Sequence, residues 1–217
     1  MDNQAGARQP YRIVTPPSAA TMACKRAFDI LCSFLGLVVL SPVLLVVSVL
    51  VAVTSPGGVF FRQERIGKDG KPFRIFKFRS MRTDNAGLKI TTGNDSRITP
   101  VGRFLRKSKI DELPQLINVL VGDMSFVGPR PEVADYVNLY TPYQQQVLLV
   151  RPGITGLASI RFRNENDLLT ASDDPNRTYV EQIMPRKIDL DLEYIPHASV
   201  FYDIKLIFQT FAVVIKE

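Results

Sequence analysis

A long apolar run near the N-terminus is the dominant pattern in this chain. Residues 27–54 are 28 positions with Asp29 as the only charge, and about 20 apolar residues suffice for a helix to cross a bilayer. Lys25 and Arg26 precede the run, and further cations follow it closely. The positive-inside rule places both flanks on the cytoplasmic side. The pattern therefore predicts a membrane helix whose two ends lie on the same side.

Ser41 and Pro42 interrupt the middle of this run. Proline removes one helical hydrogen bond and clashes with the preceding turn, while a serine hydroxyl can bond to freed backbone groups. We expect a re-entrant helix hairpin over 25–54, broken at Ser41-Pro42, that enters and leaves by one membrane face. On these residues alone, a transmembrane helix with a simple kink remains the alternative.

Alternating apolar and polar positions after a turn rich in Pro and Gly predict a β-hairpin. Its strands cover 59–66 and 73–81, and an Asp-Gly turn lies between them. Strand side chains alternate between two faces, so Lys77 and Arg79 share one face. Two such cations are suited to bind a phosphate; the alternative is a charged sheet edge without a ligand.

The rest of the chain is polar tail, loop and helix. Residues 1–24 lack periodicity and predict a flexible tail. Further along we expect loops at 83–99 and 164–177, and helices at 101–109, 110–120 and 200–215. The last of these helices is amphipathic and packs on the core or lies in the membrane interface. The fold class is α+β, mainly helical: the tail, the re-entrant membrane helix 25–54, and a small cytosolic domain 55–217 with the β-hairpin and interfacial amphipathic helices.

Charge is distributed unevenly along the chain. Residues 55–110 carry 14 Lys and Arg against 4 Asp and Glu, whereas residues 111–217 carry 9 against 15. A basic segment directly after a membrane helix predicts attraction to the phosphates of nucleic acid, lipid headgroups or a substrate. The 2 cysteines and the single histidine exclude a disulfide framework, a CxxC metal site and a histidine-based triad.

Two adjacent carboxylates, Asp111 and Glu112, are the candidate catalytic residues. Pro114 belongs in the first turn of a helix, so both carboxylates lie at or just before a helix N-terminus. Free backbone N–H groups and the helix dipole favour anions there. With Arg106 and its cationic neighbours just upstream, the cluster is suited to a divalent cation together with phosphates. The alternative is that Asp111 is only a helix cap.

Two stiff loops each present an arginine. Pro129 and Pro131 flank Arg130, and Arg151 begins the Gly-rich loop 151–156. A guanidinium with little conformational freedom is suited to bidentate phosphate recognition. These residues are therefore candidate binding residues.

Three sequence blocks resemble a known family. KFRSM at 77–81, DELPQLINVLVGDMSFVGPRP at 111–131 and RPGITG at 151–156 look like the bacterial sugar transferases, which are the monotopic phosphoglycosyl transferases. The resemblance covers residues 25–217 and is specific, because the blocks follow in this order behind an apolar segment broken by Ser-Pro. It implies the small form of the family, with a re-entrant helix and one catalytic domain.

The resemblance implies a reaction and a role for several residues. A sugar 1-phosphate would move from a UDP-sugar to undecaprenyl phosphate with release of UMP, through a covalent phospho-sugar intermediate on Asp111. The family requires Mg²⁺, which Glu112 and Asp111 would bind. Arg106 matches an arginine associated with the polyprenyl phosphate, and Arg130 one near the nucleotide-sugar phosphates.

The resemblance also implies a location and partners. It places the protein in the bacterial inner membrane with the catalytic domain on the cytoplasmic face, among membrane lipids and the downstream glycosyl transferases of O-antigen, capsule, exopolysaccharide or glycoprotein glycan synthesis. Lys109 departs from the family, because a small or hydroxyl residue is usual two positions before the dyad. This lysine makes the surroundings of the dyad more basic.

Three other functions are alternatives to the phosphoglycosyl transferase hypothesis. A membrane-anchored protein could bind a nucleotide sugar or anionic lipid without catalysis, but the intact dyad argues against it. A nucleic-acid binder would use the basic segment, yet the sequence has no helix-turn-helix, RNA-binding or zinc signature, and we expect no nucleic-acid partner. A glycosyl transferase that moves the sugar alone would release UDP, whereas a phosphoglycosyl transferase releases UMP.

Overall fold

One long helix, eight shorter helices and two small sheets make up the part of the chain that the computed structural model describes, residues 13–55, 57–82 and 97–214. The α-helices are α1 Ala19–Thr54, α2 Pro100–Lys107, α3 Gln115–Val121, α4 Ala134–Val137, α5 Leu157–Arg161, α6 Glu165–Thr170, α7 Pro175–Thr178, α8 Met184–Tyr194 and α9 Val200–Val214. The strands are β1 Phe60–Ile66, β2 Pro72–Phe78, β3 Ser125–Val127 and β4 Gly153–Thr155. A π-helical turn, Tyr179–Ile183, precedes α8, and 3₁₀ turns cover Lys68–Gly70, Ile110–Glu112, Gln144–Leu149 and Ile195–His197. The mainly helical α+β class is confirmed.

The start of the chain corrects one predicted boundary. Helix α1 begins at Ala19, where the Ser18 side chain accepts a hydrogen bond from the backbone N–H of Thr21 at 3.2 Å. Val14 is buried in the core, and its N–H donates to Oε1 of Gln146 at 2.7 Å. The predicted tail 1–24 is therefore too long at its end, because a serine cap and a buried valine order residues that lack periodicity. Residues 1–12 of that tail lie outside the described residues.

Helix α1 is 36 residues long and continues through Ser41 and Pro42. The hydroxyl of Ser41 donates to the carbonyl of Val38 at 2.7 Å, one turn before the proline. Within the described residues α1 is the one helix long and apolar enough to cross a membrane, and little of its most apolar stretch is buried by the rest of the chain.

A stripe along α1 contacts the remainder of the protein from one end to the other. Lys25, Asp29 and Ser33 are buried near its start, and Val47 and Val51 near its end, where the valines pack on Phe78 of β2 and Leu105 of α2. At the middle, a Cβ on Gly36 would come within 3.3 Å of Leu116 in α3. The opposite face of α1 is apolar and exposed; it includes Leu31, Leu35, Val38, Val39, Leu45, Val46, Val49 and Val53.

A buried polar cluster joins the start of α1 to β3 and α9. We call it the Lys25 cluster; its members are Lys25, Asp29, Ser125, Tyr194 and Asp203, all at most 4% exposed. The Lys25 ammonium pairs with Asp203 and donates to Ser125 Oγ at 2.6 Å. Asp29 Oδ1 accepts from the Ser125 hydroxyl at 3.1 Å, and the Tyr194 hydroxyl donates to Asp203 Oδ1 at 2.6 Å. The charges are satisfied internally, as burial requires.

The predicted hairpin is confirmed, and its second strand has an unusual partner. Strands β1 and β2 pair antiparallel from Phe60 opposite Phe78 to Ile66 opposite Pro72. Asn118 of α3 bonds to the other edge of β2: its Oδ1 accepts from the N–H of Phe76 and its Nδ2 donates to the carbonyl of Arg74, both at 2.9 Å. One buried side chain thus satisfies two backbone groups of the strand that carries Lys77.

Strands β3 and β4 form a short parallel pair that the sequence pattern does not predict. A Cβ on Gly153 would lie 2.1 Å from the backbone nitrogen of Gly128, and one on Gly156 would lie 2.4 Å from the carbonyl oxygen of Gly128. The two backbones therefore approach so closely that no other residue fits. This contact holds the two stiff arginine loops side by side.

The main core surrounds α8 and the π-turn before it. It includes Val127, Tyr136, Tyr179, Ile188, Tyr194 and Leu206. The predicted loop at 164–177 is wrong in part, because α6 and α7 lie within it and Leu169 of α6 is buried in this core. The predicted loop at 83–99 lies outside the described residues except for 97–99.

Candidate active site

The carboxylate dyad lies in the 3₁₀ turn that joins α2 to α3. Lys109, immediately before this turn, has a φ of 56° and a ψ of 13°, a left-handed conformation that is uncommon outside glycine. This residue reverses the chain after α2, so Asp111 and Glu112 project beside β2. Pro114 caps α3 without a side-chain bond, and the dyad lies just before that helix as the sequence predicts.

Glu112 is held by two cations. Lys77 Nζ donates to Glu112 Oε1 at 2.8 Å, and Arg130 Nη2 lies 3.4 Å from the same oxygen. Burial alone would raise the pKa of Glu112, but the charges of Lys77 and then Arg130 outweigh it and hold the pKa well below its usual range. Glu112 in turn holds the pKa of Arg130 above its usual range. This carboxylate is ionised and fixed in place.

Asp111 has the opposite surroundings. It is 8% exposed, and its Oδ1 has no hydrogen-bond partner within the described part of the chain. Burial, and then the charge of Glu112, raise the pKa of Asp111 to about 6. Lys77, Arg106 and Lys109 counteract this rise. The dyad therefore combines one carboxylate committed to cations with one that is ionised at neutral pH and free to react.

A cavity of about 1100 Å³ lies beside the dyad. Glu112 and Lys109 line it, but Asp111, the neighbour of Glu112, is not among the lining residues. The lining is strongly basic, with Arg103, Arg106, Lys107, Lys109, Arg130, Arg163 and Lys187 against Glu112, Glu165 and Asp167. Its volume suits a ligand of nucleotide-sugar size, and its charge suits phosphate groups.

The Pro-Arg-Pro loop presents Arg130 to this cavity from a fixed backbone. The carbonyl of Pro129 accepts from the N–H of Gly153 at 2.9 Å, and that of Pro131 accepts from the Arg65 guanidinium at 3.1 Å. Both prolines are buried. The structure thus places Pro129 and Pro131 as supports for Arg130 on either side.

Two predicted phosphate ligands lie elsewhere. Arg79 follows the end of β2 and donates to the carbonyls of Gly57 and Gly58, at 2.5 and 2.9 Å. Arg151 donates to the carbonyl of Gly122, the residue that ends α3, at 2.8 Å. Neither lines the cavity, because backbone carbonyls of nearby turns bind both guanidinium groups. Lys77, Arg106 and Arg130 are the predicted cations that the structure brings to the dyad.

Several residues that support the site have no signal in the sequence. Asp191 of α8 is buried, its Oδ1 has no hydrogen-bond partner among the described residues, and burial raises its pKa to about 8. Lys187 of the same helix pairs with Glu165 at 2.7 Å on the cavity wall. In the sequence, each looks like an ordinary polar residue of a helix. Only the packing of α8 in the folded structure shows that these two residues support the site.

The dyad can bind a divalent cation only together with other ligands. Within the described residues there is no group of three or more His, Cys, Asp or Glu side chains that could hold a metal ion. Mg²⁺, however, is commonly held by one or two carboxylates plus substrate phosphates and water. The unpartnered Oδ1 of Asp111, beside Glu112, fits that arrangement.

Comparisons with known proteins show which family the chain is similar to. The sequence profile described as bacterial sugar transferase matches residues 20–217. The chain is 44% identical over 202 residues to the UDP-glucose:undecaprenyl-phosphate glucose-1-phosphate transferase of Escherichia coli (strain K12), covering 90% of this chain and 41% of that protein. It is 38% identical over 199 residues to the UDP-N-acetylgalactosamine-undecaprenyl-phosphate N-acetylgalactosaminephosphotransferase of Aeromonas hydrophila, covering 89% of this chain and 44% of the relative.

A third relative is similar in length. The exopolysaccharide production protein PSS of Rhizobium leguminosarum bv. phaseoli is 42% identical over 199 residues, which cover 87% of this chain and 94% of that protein. This chain thus spans less than half of the first two relatives and nearly all of the third. The family match, over residues 20–217, includes the dyad and both arginine loops. The chain belongs to the bacterial sugar transferase family.

Proposed function

We propose that this protein transfers a sugar 1-phosphate from a UDP-sugar to undecaprenyl phosphate, giving undecaprenyl-diphospho-sugar and UMP. The observation that carries the proposal is the difference between the two carboxylates of the dyad. Glu112 lines a basic cavity and is fixed by Lys77 and Arg130, while its neighbour Asp111 has an unpartnered oxygen. The names of the relatives support both substrates.

In the first step Asp111 is the nucleophile. Its carboxylate oxygen attacks the phosphorus that bears the sugar, the bond from that phosphorus to the bridging oxygen breaks, and UMP leaves with the bond's electron pair. The product is an aspartyl phospho-sugar, a mixed anhydride that stores the group for the next step. With a pKa of about 6, Asp111 is ionised at neutral pH. Its Oδ1 has no hydrogen-bond partner among the described residues, so this oxygen is available to react.

Cations on the cavity wall make this attack of an anion on an anion feasible. Arg130 is presented at fixed geometry to the diphosphate, and its contact with Glu112 keeps it oriented. Mg²⁺ held by Asp111 and Glu112 together with the substrate would neutralise charge on the phosphate oxygens, as in other phosphoryl transfers. Lys77 keeps Glu112 ionised and available for this role.

In the second step the lipid phosphate attacks the same phosphorus and releases Asp111. Arg106 lines the cavity, contacts Met81 Sδ at 3.3 Å and makes no ion pair among the described residues that would compete for the lipid phosphate. The acceptor explains the membrane helix, because α1 keeps the cavity at the depth of lipid headgroups. The site of action is then the cytoplasmic face of the bacterial inner membrane, where later glycosyl transferases use the product.

The contacts of α1 support the proposal that this helix is re-entrant. Val51 at one end and Lys25 at the other both pack on the folded domain. A helix that crossed a bilayer of about 30 Å would place one of these ends on the far side, away from the domain. We therefore propose that both ends lie on the cytoplasmic side and that Ser41-Pro42 is where α1 turns back within the membrane.

The test is covalent labelling of the purified full-length protein with a panel of UDP-sugars that carry the label in the sugar, with Mg²⁺ and without lipid. One sugar should label the protein and release UMP, and undecaprenyl phosphate should then remove the label. Asp111→Asn should abolish labelling, because an amide cannot form the acyl phosphate. Asp69→Asn, an exposed carboxylate in the hairpin turn, is the matched control and should label normally.

Three outcomes would contradict the proposal. Release of UDP would indicate transfer of the sugar alone, and binding of UDP-sugars without release of UMP would indicate a binding protein. Normal labelling of Asp111→Asn with loss of labelling in Glu112→Gln would exchange the roles of the two carboxylates.

A further inference from the structure

The cavity beside the dyad has one strongly charged side and one apolar side. The cations belong mainly to α2 and the loops around Lys109 and Arg130. The apolar side is formed by three parts of the fold: α1, the β3–β4 pair and α9. It consists of Phe28, Cys32, Phe126, Ile154, Ile204, Ile207, Phe208 and Phe211. We call this set the apolar groove. A nucleotide sugar has no hydrocarbon part that would fill it.

Two large side chains of the groove are unpartnered. Phe208 is 69% exposed and Phe211 60% exposed, although both line a cavity. Ile204, Ile207, Phe208 and Phe211 follow the spacing of a single helix face. Leaving aromatic surface of this size in water is unfavourable, so the face is suited to an apolar ligand.

The groove is continuous with the exposed apolar face of α1. Phe28 of α1 packs against Phe126 with ring centres 6.3 Å apart, and Thr155 of β4 bonds to Thr210 of α9 at 2.8 Å. These contacts bring the three walls together. From Cys32, the same side of α1 continues one and two turns later to Leu35 and Val39, which are 50% and 73% exposed. A chain lying in the groove could leave it along α1 into lipid.

We propose that the apolar groove binds the first isoprene units of the acceptor lipid while its phosphate lies among the cavity cations. The occupant must be an amphiphile with an anionic head, because cations line one side of the same cavity and aromatic side chains the other. The inference rests on the proposed function and extends it: the protein selects its acceptor by the hydrocarbon chain as well as by the phosphate.

The test compares a groove variant with a control on the same helix. Phe208→Ser combined with Phe211→Ser removes the aromatic wall. Phe201→Ser is the control, because Phe201 is 86% exposed and does not line the cavity. Each full-length protein is labelled with the UDP-sugar, and the label is chased with undecaprenyl phosphate or with short-chain geranyl phosphate. A photoreactive polyprenyl phosphate is crosslinked in parallel, and the modified peptides are identified by mass spectrometry.

We expect wild type and control to prefer the long acceptor. The double variant should still take the label from the donor, and its preference for undecaprenyl phosphate over geranyl phosphate should fall about tenfold, equivalent to about 1.4 kcal/mol. Crosslinks should lie on α9 and around Phe28 in wild type, and undecaprenyl phosphate should compete for them.

The crosslinking separates the two proposals. Crosslinks on the groove without any labelling would refute the proposed transferase reaction and support the groove as a lipid site. Labelling and turnover with an unchanged chain-length preference in the double variant, or crosslinks on other elements, would overturn the groove. Equal competition by a fatty acid would also overturn it, because the site would then not select a polyprenyl phosphate.

Discussion

Replacement of Asn118 by leucine tests how the fold supports the dyad. Asn118 is completely buried and makes three side-chain hydrogen bonds, to Phe76 N–H, the Arg74 carbonyl and Asp123 Oδ2. Leucine has a similar size but no polar atom. The two backbone groups on β2 would therefore lose their partner inside the protein, directly before the strand position that carries Lys77.

The expected cost follows from those two backbone groups. A buried donor or acceptor left unsatisfied costs about 1–3 kcal/mol, so the pair costs about 2–6 kcal/mol. Burial of the leucine side chain stabilises the folded state by about 1.5 kcal/mol. We expect a net loss of about 3 kcal/mol, a large part of the 5–15 kcal/mol that is typical of folded domains (about 0.1 kcal/mol per residue).

The assay is urea unfolding in mild detergent, followed by near-ultraviolet circular dichroism of the tyrosines. Asn138→Leu is the control, because Asn138 is exposed and its replacement should leave the midpoint unchanged. Asn118→Asp keeps the acceptor for Phe76 but adds a negative charge beside Asp123, so its stability should fall as the pH rises above the carboxyl pKa. If Asn118→Leu unfolds within about 0.5 kcal/mol of wild type, Asn118 does not hold β2 as argued.

Four further predictions test other features. Lys109 has a positive φ, so Lys109→Gly should retain the unfolding temperature while Lys109→Val loses about 1–2 kcal/mol; equal losses would contradict backbone strain. Lys25→Met leaves the buried carboxylate of Asp203 unpaired and should cost about 3–5 kcal/mol, and the double variant with Asp203→Asn should cost less than the sum of the two single changes. Because burial raises the folded-state pKa of Asp191 to about 8, its stabilising contribution is complete below pH 4 and lost as the pH rises towards 8; Asp191→Asn should flatten the unfolding temperature between pH 5 and 8, and an unchanged slope would assign the effect to another group. Pro42→Leu removes a helix-breaking residue worth about 3 kcal/mol, so cysteine labelling should find a fraction of molecules with the N-terminus in the periplasm, and none in wild type.

The local sequence pattern was sufficient to predict several structural elements. The alternation around the Asp-Gly turn predicted the hairpin, and a proline three residues after Asp111 placed the dyad before a helix. These features depend on residues within one or two turns of each other. The break at Ser41-Pro42 and the roles of the dyad residues remain predictions, since they depend on the membrane and on the substrate.

Long-range partners could not be predicted in this way. Asn118 bonds to a strand 42 positions earlier, and the Lys25 cluster pairs residues 178 positions apart. Arg79 and Arg151 were predicted as phosphate ligands because a cation in a strand or stiff loop has the same sequence signature whether it binds substrate or a carbonyl. Polar composition also concealed α6, which buries Leu169 alone among its residues.

The stripe of contacts along α1 makes this helix a structural part of the domain. Without α1, Asp203 would lose its ammonium partner, and Phe78 and Leu105 would lose the valines that cover them. The rest of the chain therefore does not complete these two clusters by itself, so α1 is part of the folded domain and not a detachable anchor. A chain without α1 would also lack one wall of its basic cavity, because Phe28 and Cys32 of this helix line that cavity.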